Sequence, residues 1–430
     1  MGVALSRYRE ALDFLFARTT GKTKFGLDRT RALLRALGDP QSRLAAFHVG
    51  GTNGKGSVCA SIEAVLRAHG LRVGKYTSPH LVDFRERIVV DGVPMPEDAV
   101  VEFVDRWTPL CERLGATFFE ATTAMAFDFL ARANVDAAVV EVGLGGRLDS
   151  TNVVTPLVAG VVSIGLDHME YLGDTREAIT DEKAGIYKPG VPAVVGEPDP
   201  HIRRRLAERA RAAGASCVRV VAEEVSVSDV LVEAEGTTFT VDAGGANPWR
   251  LRTTLVGAHQ AANAAVALTM LDAAGPPFAQ PPDVVARGLG RVRLPGRFQR
   301  HGRFRFDVAH NADGAAVLAR TLAAARPERP LAAVVSILGD KDWRAMLDRL
   351  APQVDAFVLT SAPTAPASRA WQVGEAFAHA ESRGWRCRAE PDFDRAIDAA
   401  LAEGGTVLVT GSFHTVGDAM ARLQINPLDG

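Results

Sequence analysis

The sequence predicts an α/β protein whose mainly parallel sheets are built from strands that alternate with helices. Three observations support this fold class: the length of the chain, the rhythm of its apolar runs, and a glycine-rich turn between a predicted strand and a predicted helix. The 430 residues exceed the ~250 to 300 at which single hydrophobic cores stop growing. We therefore expect two domains.

Short, continuous apolar runs mark the predicted strands. They are bounded by glycine and proline and are rich in β-branched residues, which favours strands buried on both faces over buried helices. The runs lie at 44–49, 135–142, 157–164, 331–338, 354–360 and 405–411. The helical stretches between them complete the alternation of a parallel sheet.

Composition and charge exclude several classes of protein. Hydrophobic residues make up 47 % and charged residues 23 % of the chain, values typical of globular enzymes. The net charge of -2 gives no general attraction to nucleic acid or to an anionic membrane, so we expect neither partner. The four cysteines are far apart and form no C-x-x-C pair, which argues against a zinc site and a disulfide scaffold.

The N-terminal sequence and the hydropathy pattern predict a cytoplasmic protein. The stretch MGVALSRYREALDFLF carries charges through its apolar part, so it lacks the uninterrupted apolar region of a signal peptide. No apolar run reaches the ~18 residues of a membrane-spanning helix.

Two segments are candidates for the domain boundary: GPPFAQPPD at 275–283 and RLPGRFQ at 293–299. The first is followed by DVVARGLGRV at helical spacing, which is the pattern of a connection between two helices of one domain. The second directly precedes a new strand pattern, RFRFDVAHN. We therefore predict domains at 1–294 and 297–430.

The first predicted strand ends in a glycine-rich block, HVGGTNGKGSVCAS at 48–61, that resembles a phosphate-binding loop. Its spacing differs from a standard Walker A loop, because Val49 takes the first glycine position and Gly56 separates Lys55 from Ser57. The glycines allow the backbone to approach phosphates closely, and Lys55 supplies a positive charge. The following helix would direct its first amides at the same phosphates, with Ser57 as its N-cap or as a metal ligand. The alternative, a glycine turn before an ordinary helix, gives no reason for a lysine between glycines.

Charged side chains follow two predicted strands. Glu141 ends one strand, where a buried carboxylate is costly unless it is paired or binds metal. Asp167 and His168 follow the next strand. Because open α/β sheets bind ligands at the carboxyl ends of their strands, these side chains predict a magnesium-nucleotide site. The alternatives are a surface carboxylate for Glu141 and a capped turn for Asp167 and His168.

Three further features have ordinary interpretations when taken alone. The segment EVGLGGRLDSTN at 141–152 lacks the spacing of a dinucleotide fingerprint, so hydride transfer is weakly supported. The segment TSPHLVDFRERI at 77–88 has the composition of a solvated surface loop. Lys183 has the pattern of a solvent-facing helix lysine, although a carboxylated lysine beside a magnesium site would be a metal ligand.

Taken together, an ordered set of motifs resembles the folylpolyglutamate synthase and dihydrofolate synthase family, whose members are relatives of the peptidoglycan Mur ligases. The resemblance runs from about Phe25 to GSFHTVGDA near the end of the chain. The motifs are HVGGTNGKGS, YTSPHLVDFRERI, TFFEATTAMAF, EVGLGGRLDSTN, IGLDHMEYLGDT, EKAGIYKPG, GAHQAANAAVAL, LPGRFQ and FDVAHN. A series of this length in one order is far more specific than any single motif.

The resemblance implies an N-terminal P-loop-type ATPase domain and a smaller C-terminal Rossmann-like α/β domain that close over ATP. It also implies the residues of the ATP and metal sites. The ATP positions are Thr52, Asn53, Gly54, Lys55, Gly56, Ser57, Asn263, Arg297, Asp307 and His310. The magnesium positions are Ser78, Glu141 and His168, with Lys183 as the carboxylated lysine. Two Mg²⁺ ions are expected, Asp167 becomes a turn cap or a supporting residue, and the need for a monovalent cation such as K⁺ stays open.

The resemblance further implies a pterin site. Its positions are Phe25, Gly26, Leu27, Thr117, Phe118, Phe119, Glu120, Leu148, Asp149 and Ser150. Phe118 and Phe119 would pack against a flat ring, and Asp149 would accept hydrogen bonds from ring nitrogens. The alternative is that the two phenylalanines belong to the hydrophobic core.

The predicted reaction is ATP-dependent amide ligation through an acyl phosphate, with Lys55, Glu141, His168 and Lys183 as the catalytic set. The expected substrates are dihydropteroate, reduced folates and L-glutamate. Alternatives are one of these two folate activities only, a ligase acting on a cell-wall precursor, or a nucleotide-binding switch without ligase chemistry. The resemblance implies a monomer, and the sequence has no heptad seam or exposed apolar stripe that would argue otherwise.

Overall fold

We describe the protein from a computed structural model over residues 2–19, 26–245 and 247–428. Strands and helices alternate along most of this chain and form three sheets. The predicted α/β class is therefore confirmed. Phe25, one of the predicted pterin positions, lies outside the described residues.

The first sheet has eight strands in the order β4-β3-β2-β5-β1-β6-β7-β8. Its strands run in one direction except for β3, which pairs antiparallel with both β2 and β4. The strands are β1 (Ala46–Gly50), β2 (Val73–Tyr76), β3 (Ile88–Val90), β4 (Val93–Pro94), β5 (Ala137–Glu141), β6 (Val158–Val161), β7 (Ala193–Val195) and β8 (Val218–Val220). The glycine-rich loop therefore leaves the sheet at β1, between β5 and β6.

Helices cover both faces of this sheet, as its continuously apolar strands require. Val58 and Ile62 pack with Met270 in one buried cluster, while Leu33 and Met125 belong to a cluster on the other side. The helices are α1 (Gly2–Phe16), α2 (Asp28–Ala36), α3 (Lys55–Ala68), α4 (Glu97–Leu114), α5 (Phe118–Arg132), α6 (Met169–Leu172), α7 (Arg176–Ala184), α8 (Pro200–Ala212), α9 (Val221–Glu224), α10 (Ala258–Ala274) and α11 (Pro282–Leu289).

A small antiparallel sheet of three strands, in the order β11-β10-β9, lies between α9 and α10 in the chain. Its strands are β9 (Ser226–Glu233), β10 (Gly236–Asp242) and β11 (Trp249–Thr253). Phe239 and Leu251 pack into the same buried cluster as α3 and α10. The small sheet therefore extends the core of the large one.

The third sheet has six strands in the order β12-β13-β17-β14-β15-β16, all parallel except β12. The strands are β12 (Gln299–His301), β13 (Phe304–Asp307), β14 (Leu331–Val335), β15 (Ala356–Leu359), β16 (Cys387–Ala389) and β17 (Thr406–Thr410). The helices are α12 (Ala312–Ala325), α13 (Trp343–Leu350), α14 (Val373–Ser382), α15 (Phe393–Ala402) and α16 (Phe413–Arg422). Separate buried clusters lie on its two faces.

Each of the six predicted apolar runs overlaps a strand of these sheets. The proline-rich segment 275–283 connects α10 to α11, as its composition predicts. Residues 294–297 lie between α11 and β12, where the strands of the third sheet begin. None of the described helices has the length and apolarity to cross a membrane.

Candidate active site

The glycine-rich loop encloses the side chain of Lys55. The ammonium Nζ of Lys55 donates to the carbonyl oxygens of Gly51 and Thr52, each over 3.0 Å. Helix α3 begins at Lys55, with Gly54 as its N-cap. The prediction of Ser57 as a helix N-cap is therefore wrong, because Ser57 already lies inside the first turn.

Glycine is required at position 54, where φ is +87° and α10 approaches the loop closely. A Cβ at this position would lie 2.7 Å from Oδ1 of Asn263 and 2.8 Å from Val162. Asn263 is buried in α10, and its Nδ2 donates to Oε1 of Gln260 over 3.0 Å. The structure thus brings the predicted ATP residue Asn263 to the loop.

Thr52 and Asn53 connect the loop to two other segments. The Thr52 hydroxyl bonds to the backbone of Gly165, accepting from its N–H over 3.0 Å. The side-chain amides of Asn53 and Asn311 pair with each other, and Nδ2 of Asn311 donates to Oδ1 of Asn53 over 3.2 Å. Asn311 caps α12, so this pair joins the loop to the C-terminal sheet.

Arg297 and Asp307 belong to the C-terminal part of the chain, and Arg297 approaches the loop. The Asp307 carboxylate accepts hydrogen bonds from the backbone N–H groups of Phe298 and Ala309, each over 2.9 Å. A Cβ on Gly56 would lie 3.9 Å from Nη2 of Arg297, so this guanidinium is beside the loop. Burial lowers the pKa of Arg297, although the charges of Asp307 and Glu141 favour its charged form.

Glu141 is the last residue of β5 and is only 6 % exposed. Its Oε2 accepts a hydrogen bond from the backbone N–H of Ser78 over 3.1 Å. Burial raises its pKa, while the charge of Lys55 and the Ser78 hydrogen bond oppose that shift. The predicted metal ligands Ser78 and Glu141 are therefore neighbours.

Lys183 contradicts its interpretation as a solvent-facing lysine. It is 6 % exposed, and its Nζ donates to the carbonyl oxygen of Gly51 over 3.0 Å. Burial, followed by the charge of Lys55, lowers its pKa to about 7. Much of this lysine is therefore a neutral amine near neutral pH, which is the form that reacts with CO₂ to give a carbamate.

Asp167 receives contacts from both sheets. One carboxylate oxygen accepts from the N–H of His168, which makes it the cap of its own turn, and from Lys341. The other accepts from Nδ2 of Asn311 over 3.2 Å and lies 3.5 Å from Nε2 of His310. Burial raises the pKa of Asp167, but the bond from His310 and the surrounding positive charges lower it well below its usual range.

The sequence did not single out Lys341. It belongs to the segment GDKDW before α13, which has the charge pattern of a surface turn. Its side chain is nevertheless only 9 % exposed. Because Asp167 is 174 positions away, no local pattern could have indicated the ion pair between them.

The predicted metal ligands suit a divalent cation better when Lys183 carries an acid group. Within residues 2–19, 26–245 and 247–428, no three His, Cys, Asp or Glu side chains form a group that could hold a metal. Ser78 and Glu141 supply oxygen donors, and His168 supplies an imidazole whose pKa burial lowers to about 4. A carbamate on Lys183 would add the missing oxygen ligands and turn a repelling cation into an anion.

The predicted pterin residues at 117–120 open helix α5. Thr117 and Glu120 form its capping box, and Glu120 is also paired with Arg29 of α2 over 2.8 Å. These two side chains therefore have structural partners already. The contact with Arg29 brings the half-buried Gly26 and Leu27, just before α2, towards the start of α5.

Phe118 and Phe119 are both half-buried and pack against the core cluster that contains Leu33 and Met125. The ring of Phe118 stacks on Phe16 at 5.5 Å, while that of Phe119 stacks on Tyr76 at 6.2 Å. Phe16 is 40 % exposed, so the stack on Phe118 reaches the surface. Both phenylalanines therefore belong partly to the core, and Phe118 also forms part of an aromatic stack that reaches the surface.

The loop at 143–151 is shaped by Asp149, which is buried. One oxygen accepts from the N–H of Leu144 over 2.8 Å, and the other accepts from the N–H and the hydroxyl of Thr151. Asp149 thus has a loop-forming role that the pterin prediction did not include. Ser150 beside it is buried and Leu148 is half-buried.

The segment 77–88 is not the solvated loop that its composition suggests. Phe84 is buried, and Arg87 is 7 % exposed with its Nε donating to Nδ1 of His80 over 2.7 Å. The Arg87 guanidinium lies 5.1 Å from the centre of the Phe118 ring. Arg87 therefore connects the aromatic cluster to the loop that carries Ser78.

The chain matches two family models in succession. Residues 49–271 match the Mur ligase middle domain, and residues 296–413 match the Mur ligase glutamate ligase domain. Both models describe the elements that surround the loop and its C-terminal neighbours.

Similar proteins extend over almost the whole chain. A Bacillus subtilis protein named dihydrofolate synthase/folylpolyglutamate synthase is 34 % identical, with 97 % of this chain and 99 % of that protein covered. The Mycobacterium tuberculosis folylpolyglutamate synthase complexed with ADP superposes with a TM-score of 0.90 at 34 % identity, over 99 % of this chain and 100 % of that one. A bifunctional folylpolyglutamate synthase/dihydrofolate synthase from Yersinia pestis, complexed with AMPPNP and Mn ion, gives a TM-score of 0.84 at 33 % identity, over 97 % and 98 %.

Proposed function

This chain belongs to the dihydrofolate synthase and folylpolyglutamate synthase family of Mur ligases, and we propose that it catalyses both reactions of that family. It is an ATP-dependent ligase that joins L-glutamate to folates by an amide bond, with release of ADP and phosphate. In the proposed pair of activities, one acceptor is dihydropteroate and the other is the glutamate tail of a reduced folate.

The observation that carries the assignment of the site is the convergence of both sheets on the glycine-rich loop. Lys55 and Lys183 bond to the loop carbonyl of Gly51, and Arg297 approaches the loop at Gly56. The basic side chains of Lys55 and Arg297 at this loop suit a triphosphate and a substrate carboxylate.

In the first step, an oxygen of the substrate carboxylate attacks the γ-phosphorus of ATP. The bond from the γ-phosphorus to the β,γ-bridging oxygen breaks, which gives an acyl phosphate and ADP. Lys55 and Arg297 would neutralise charge on the phosphoryl oxygens, and the amides at the start of α3 would hold the phosphates. Such catalysis requires positioning and charge compensation and no protein nucleophile.

A nucleotide and a divalent metal are the cofactors of this family, and we propose Mg²⁺ at two sites. The ligands would be Ser78, Glu141, His168 and a carboxylated Lys183. When bound, the metal supplies positive charge to the phosphate and carboxylate oxygens. A monovalent cation such as K⁺ is a further candidate, for which the described residues give no separate site.

In the second step, the neutral amine of L-glutamate attacks the acyl carbon. The bond from that carbon to the phosphate oxygen breaks, phosphate leaves, and the amine loses a proton as the amide forms. The cationic Lys341 and the imidazole of His310 lie at the C-terminal side of this region, held by Asp167. The ammonium group of Lys341 and the hydrogen-bonding nitrogens of His310 suit an amino acid with two carboxylates.

The folate would enter between α5 and the loop at 143–151. The partly open stack of Phe16 and Phe118 suits an aromatic ring, and Arg87 beside it suits the negative end of the molecule. Asp149 and Thr117 would contribute through the shape of the loop and helix that they stabilise.

We also propose that the chain divides into domains at 1–294 and 297–430 and acts as a cytoplasmic monomer on small molecules alone. The strands of the first two sheets end at Thr253 and those of the third begin at Gln299, which supports the division. A change in the angle between the two units would open the contacts of Asn53 with Asn311.

The test is ADP release by the purified protein with Mg-ATP and L-glutamate, in parallel reactions with dihydropteroate, with tetrahydrofolate and with neither. Turnover with both acceptors would establish both activities. Turnover with one would assign a single activity. ADP release that is indifferent to glutamate would contradict the proposal.

A further inference from the structure

Asn152 connects two segments that have different roles in the proposed site. Its Nδ2 donates to the carbonyl oxygen of Arg147, in the loop at 143–151, and to that of Gly185, in the turn after α7, each over 3.0 Å. The residue is 8 % exposed. Its buried Oδ1 has no hydrogen-bond partner within the described chain, so the amino group alone holds this side chain.

The backbones of the two segments touch where Asn152 joins them. A Cβ on Gly146 would lie 2.8 Å from the carbonyl oxygens of Glu182 and Lys183 and 3.0 Å from the Cα of Lys183. A Cβ on Gly185 would lie 2.3 Å from the Cβ of Arg147. The N–H of Arg147 also donates to the carbonyl oxygen of Glu182 over 2.9 Å. The loop therefore rests directly on the helix end that carries Lys183.

The helix is fixed independently of this contact, and the loop is anchored at its other end, where the Thr151 hydroxyl bonds to Nε2 of His48 in β1 over 2.9 Å. Asp181 of α7 binds Arg205 and Arg209 of α8 through paired hydrogen bonds of 2.7 to 2.9 Å. Lys183 is itself bonded to Gly51. The loop keeps its internal shape through Asp149 but reaches the helix through Asn152 and Arg147. Loss of the Asn152 contacts would thus displace the part of the loop that rests on the helix end and leave the helix in place.

We infer that Asn152 is a positioning residue that sets the distance between the folate-binding loop and Lys183. This inference rests on the proposed function, in which the loop at 143–151 contacts the folate and Lys183 lies at the phosphates. The substrate carboxylate and the γ-phosphoryl group that it attacks must meet in one geometry, and the Asn152 amide fixes the two protein segments that hold them. A side chain without two N–H donors cannot bond both carbonyl oxygens.

The test compares Asn152→Asp and Asn152→Leu with the wild-type enzyme. Both variants keep the approximate size of the side chain and lack the two donors. We expect the KM for dihydropteroate to rise by about tenfold, because a displacement near 1 Å has a cost of that order or larger. The Kd for Mg-ADP without folate should stay within about twofold of wild type, because α3 and Lys55 do not depend on this contact.

Gly146→Ala is an independent route to the same displacement. Its new Cβ would push the loop away from the carbonyl of Lys183 while Asn152 stays intact. It should therefore raise the KM for dihydropteroate in the same way. This variant keeps the inference testable when the Asn152 variants do not fold.

Arg303→Met is the matched control. Arg303 also donates two hydrogen bonds to backbone carbonyls, those of Gly405 and Leu401, but in the third sheet, away from the loop. We expect lower stability and an unchanged KM. Asn152 and Gly146 variants that lose stability but keep the wild-type KM would overturn the inference. A wild-type enzyme that consumes no ATP with either acceptor would overturn the proposed function instead.

Discussion

The ammonium groups of Lys55 and Lys183 donate hydrogen bonds to the same carbonyl oxygen, that of Gly51, each over 3.0 Å. Two cations on one oxygen repel each other, and burial adds to the cost of charging Lys183. Conversion of Lys183 to a carbamate would replace this repulsion by an attraction to Lys55.

The first prediction is that CO₂ sustains the activity. Removal of CO₂ and bicarbonate should lower kcat, and added bicarbonate should restore it. Less bicarbonate should be needed at pH 8 than at pH 6.5, because the neutral fraction of Lys183 rises through its pKa of about 7. Lys183→Met should be inactive with or without bicarbonate. Equal turnover of the wild type in CO₂-free buffer would refute carboxylation as a requirement.

The second prediction concerns the dependence of stability on pH. The pKa of Lys183 is about 7 in the folded state and higher in the unfolded chain, so the unfolded chain binds more protons between about pH 7 and pH 10. The contribution of Lys183 to the free energy of unfolding should therefore rise with pH in this window, by at most about 1.4 kcal/mol per pH unit. Urea unfolding of wild type and Lys183→Met in CO₂-free buffer measures it. An equal slope in both proteins would show that Lys183 does not titrate in this range.

The third prediction separates the charge of Glu141 from its hydrogen bond. In Glu141→Gln, the amide oxygen can still accept from the N–H of Ser78, but the negative charge is lost. Turnover should fall by about a hundredfold or more, and the Mg²⁺ concentration for half-maximal activity should rise. Stability should not fall, because burial disfavours the carboxylate.

Glu63→Gln is the control for this change, because Glu63 is also a buried glutamate but pairs with Lys75 beside α3. It should lose stability and keep the wild-type response to Mg²⁺. A Glu141→Gln enzyme with wild-type turnover and metal response would remove Glu141 from the metal site.

The fourth prediction is that Asp167 and Lys341 stabilise the contact between the two sheets. Removal of one partner of a buried ion pair leaves an uncompensated charge and costs about 3 to 5 kcal/mol. We therefore expect a double-mutant cycle of Asp167→Asn and Lys341→Met to give a coupling energy of about 1 to 3 kcal/mol. The exposed pair of Arg7 and Asp105 should give about 0 to 1 kcal/mol in the same measurement. Equal coupling energies for the two pairs would contradict the prediction.

The pH dependence of this pair has a defined sign. The pKa of Asp167 is lowered in the folded state, so its stabilising contribution is present above the unfolded pKa of about 3.9 and is lost as pH falls. Acid should therefore reduce the difference in stability between wild type and Asp167→Asn.

The fold and the loop could be predicted from the sequence because their signals are local. Apolar runs between glycine and proline indicated the strands, and a lysine between glycines indicated the loop after β1. The burial of Lys183 could not be predicted, because its partner Gly51 is 132 positions away and the helix pattern around it is that of a surface helix. The same reason explains why Lys341 was missed.

The N-cap alternative for Ser57 is wrong for a different reason. A serine after glycines at the start of a helix is a typical N-cap, but the left-handed conformation of Gly54 starts the helix at Lys55 instead. The conformation of one glycine is not encoded in the spacing of the motif. Thr117, in contrast, caps α5 with Glu120 in the standard pattern, although family resemblance had suggested a ligand role for both.

The last prediction concerns the segment 77–83. It packs closely on helix α16 because Gly417 has no side chain. A Cβ there would lie 2.2 Å from the carbonyl oxygen of Leu81 and 3.0 Å from its carbonyl carbon. Leu81 also packs against the buried cluster on one face of the third sheet. Because the clash is with backbone, a smaller side chain at Leu81 cannot relieve it.

Gly417→Ala should therefore displace Leu81 and, with it, the nearby Ser78 that bonds to Glu141. We expect a loss of about 1 to 3 kcal/mol in the free energy of unfolding. Turnover with dihydropteroate should fall as well, because Ser78 and Glu141 would separate. Gly374→Ala is the control. Gly374 lies in α14, which also packs on the third sheet, and a new Cβ there would have no atom within 4 Å. That variant should keep wild-type turnover and gain up to about 1 kcal/mol, because alanine is the better helix former. If Gly417→Ala matched it in both stability and turnover, the contact of Leu81 with α16 would have no part in holding Ser78 at the site.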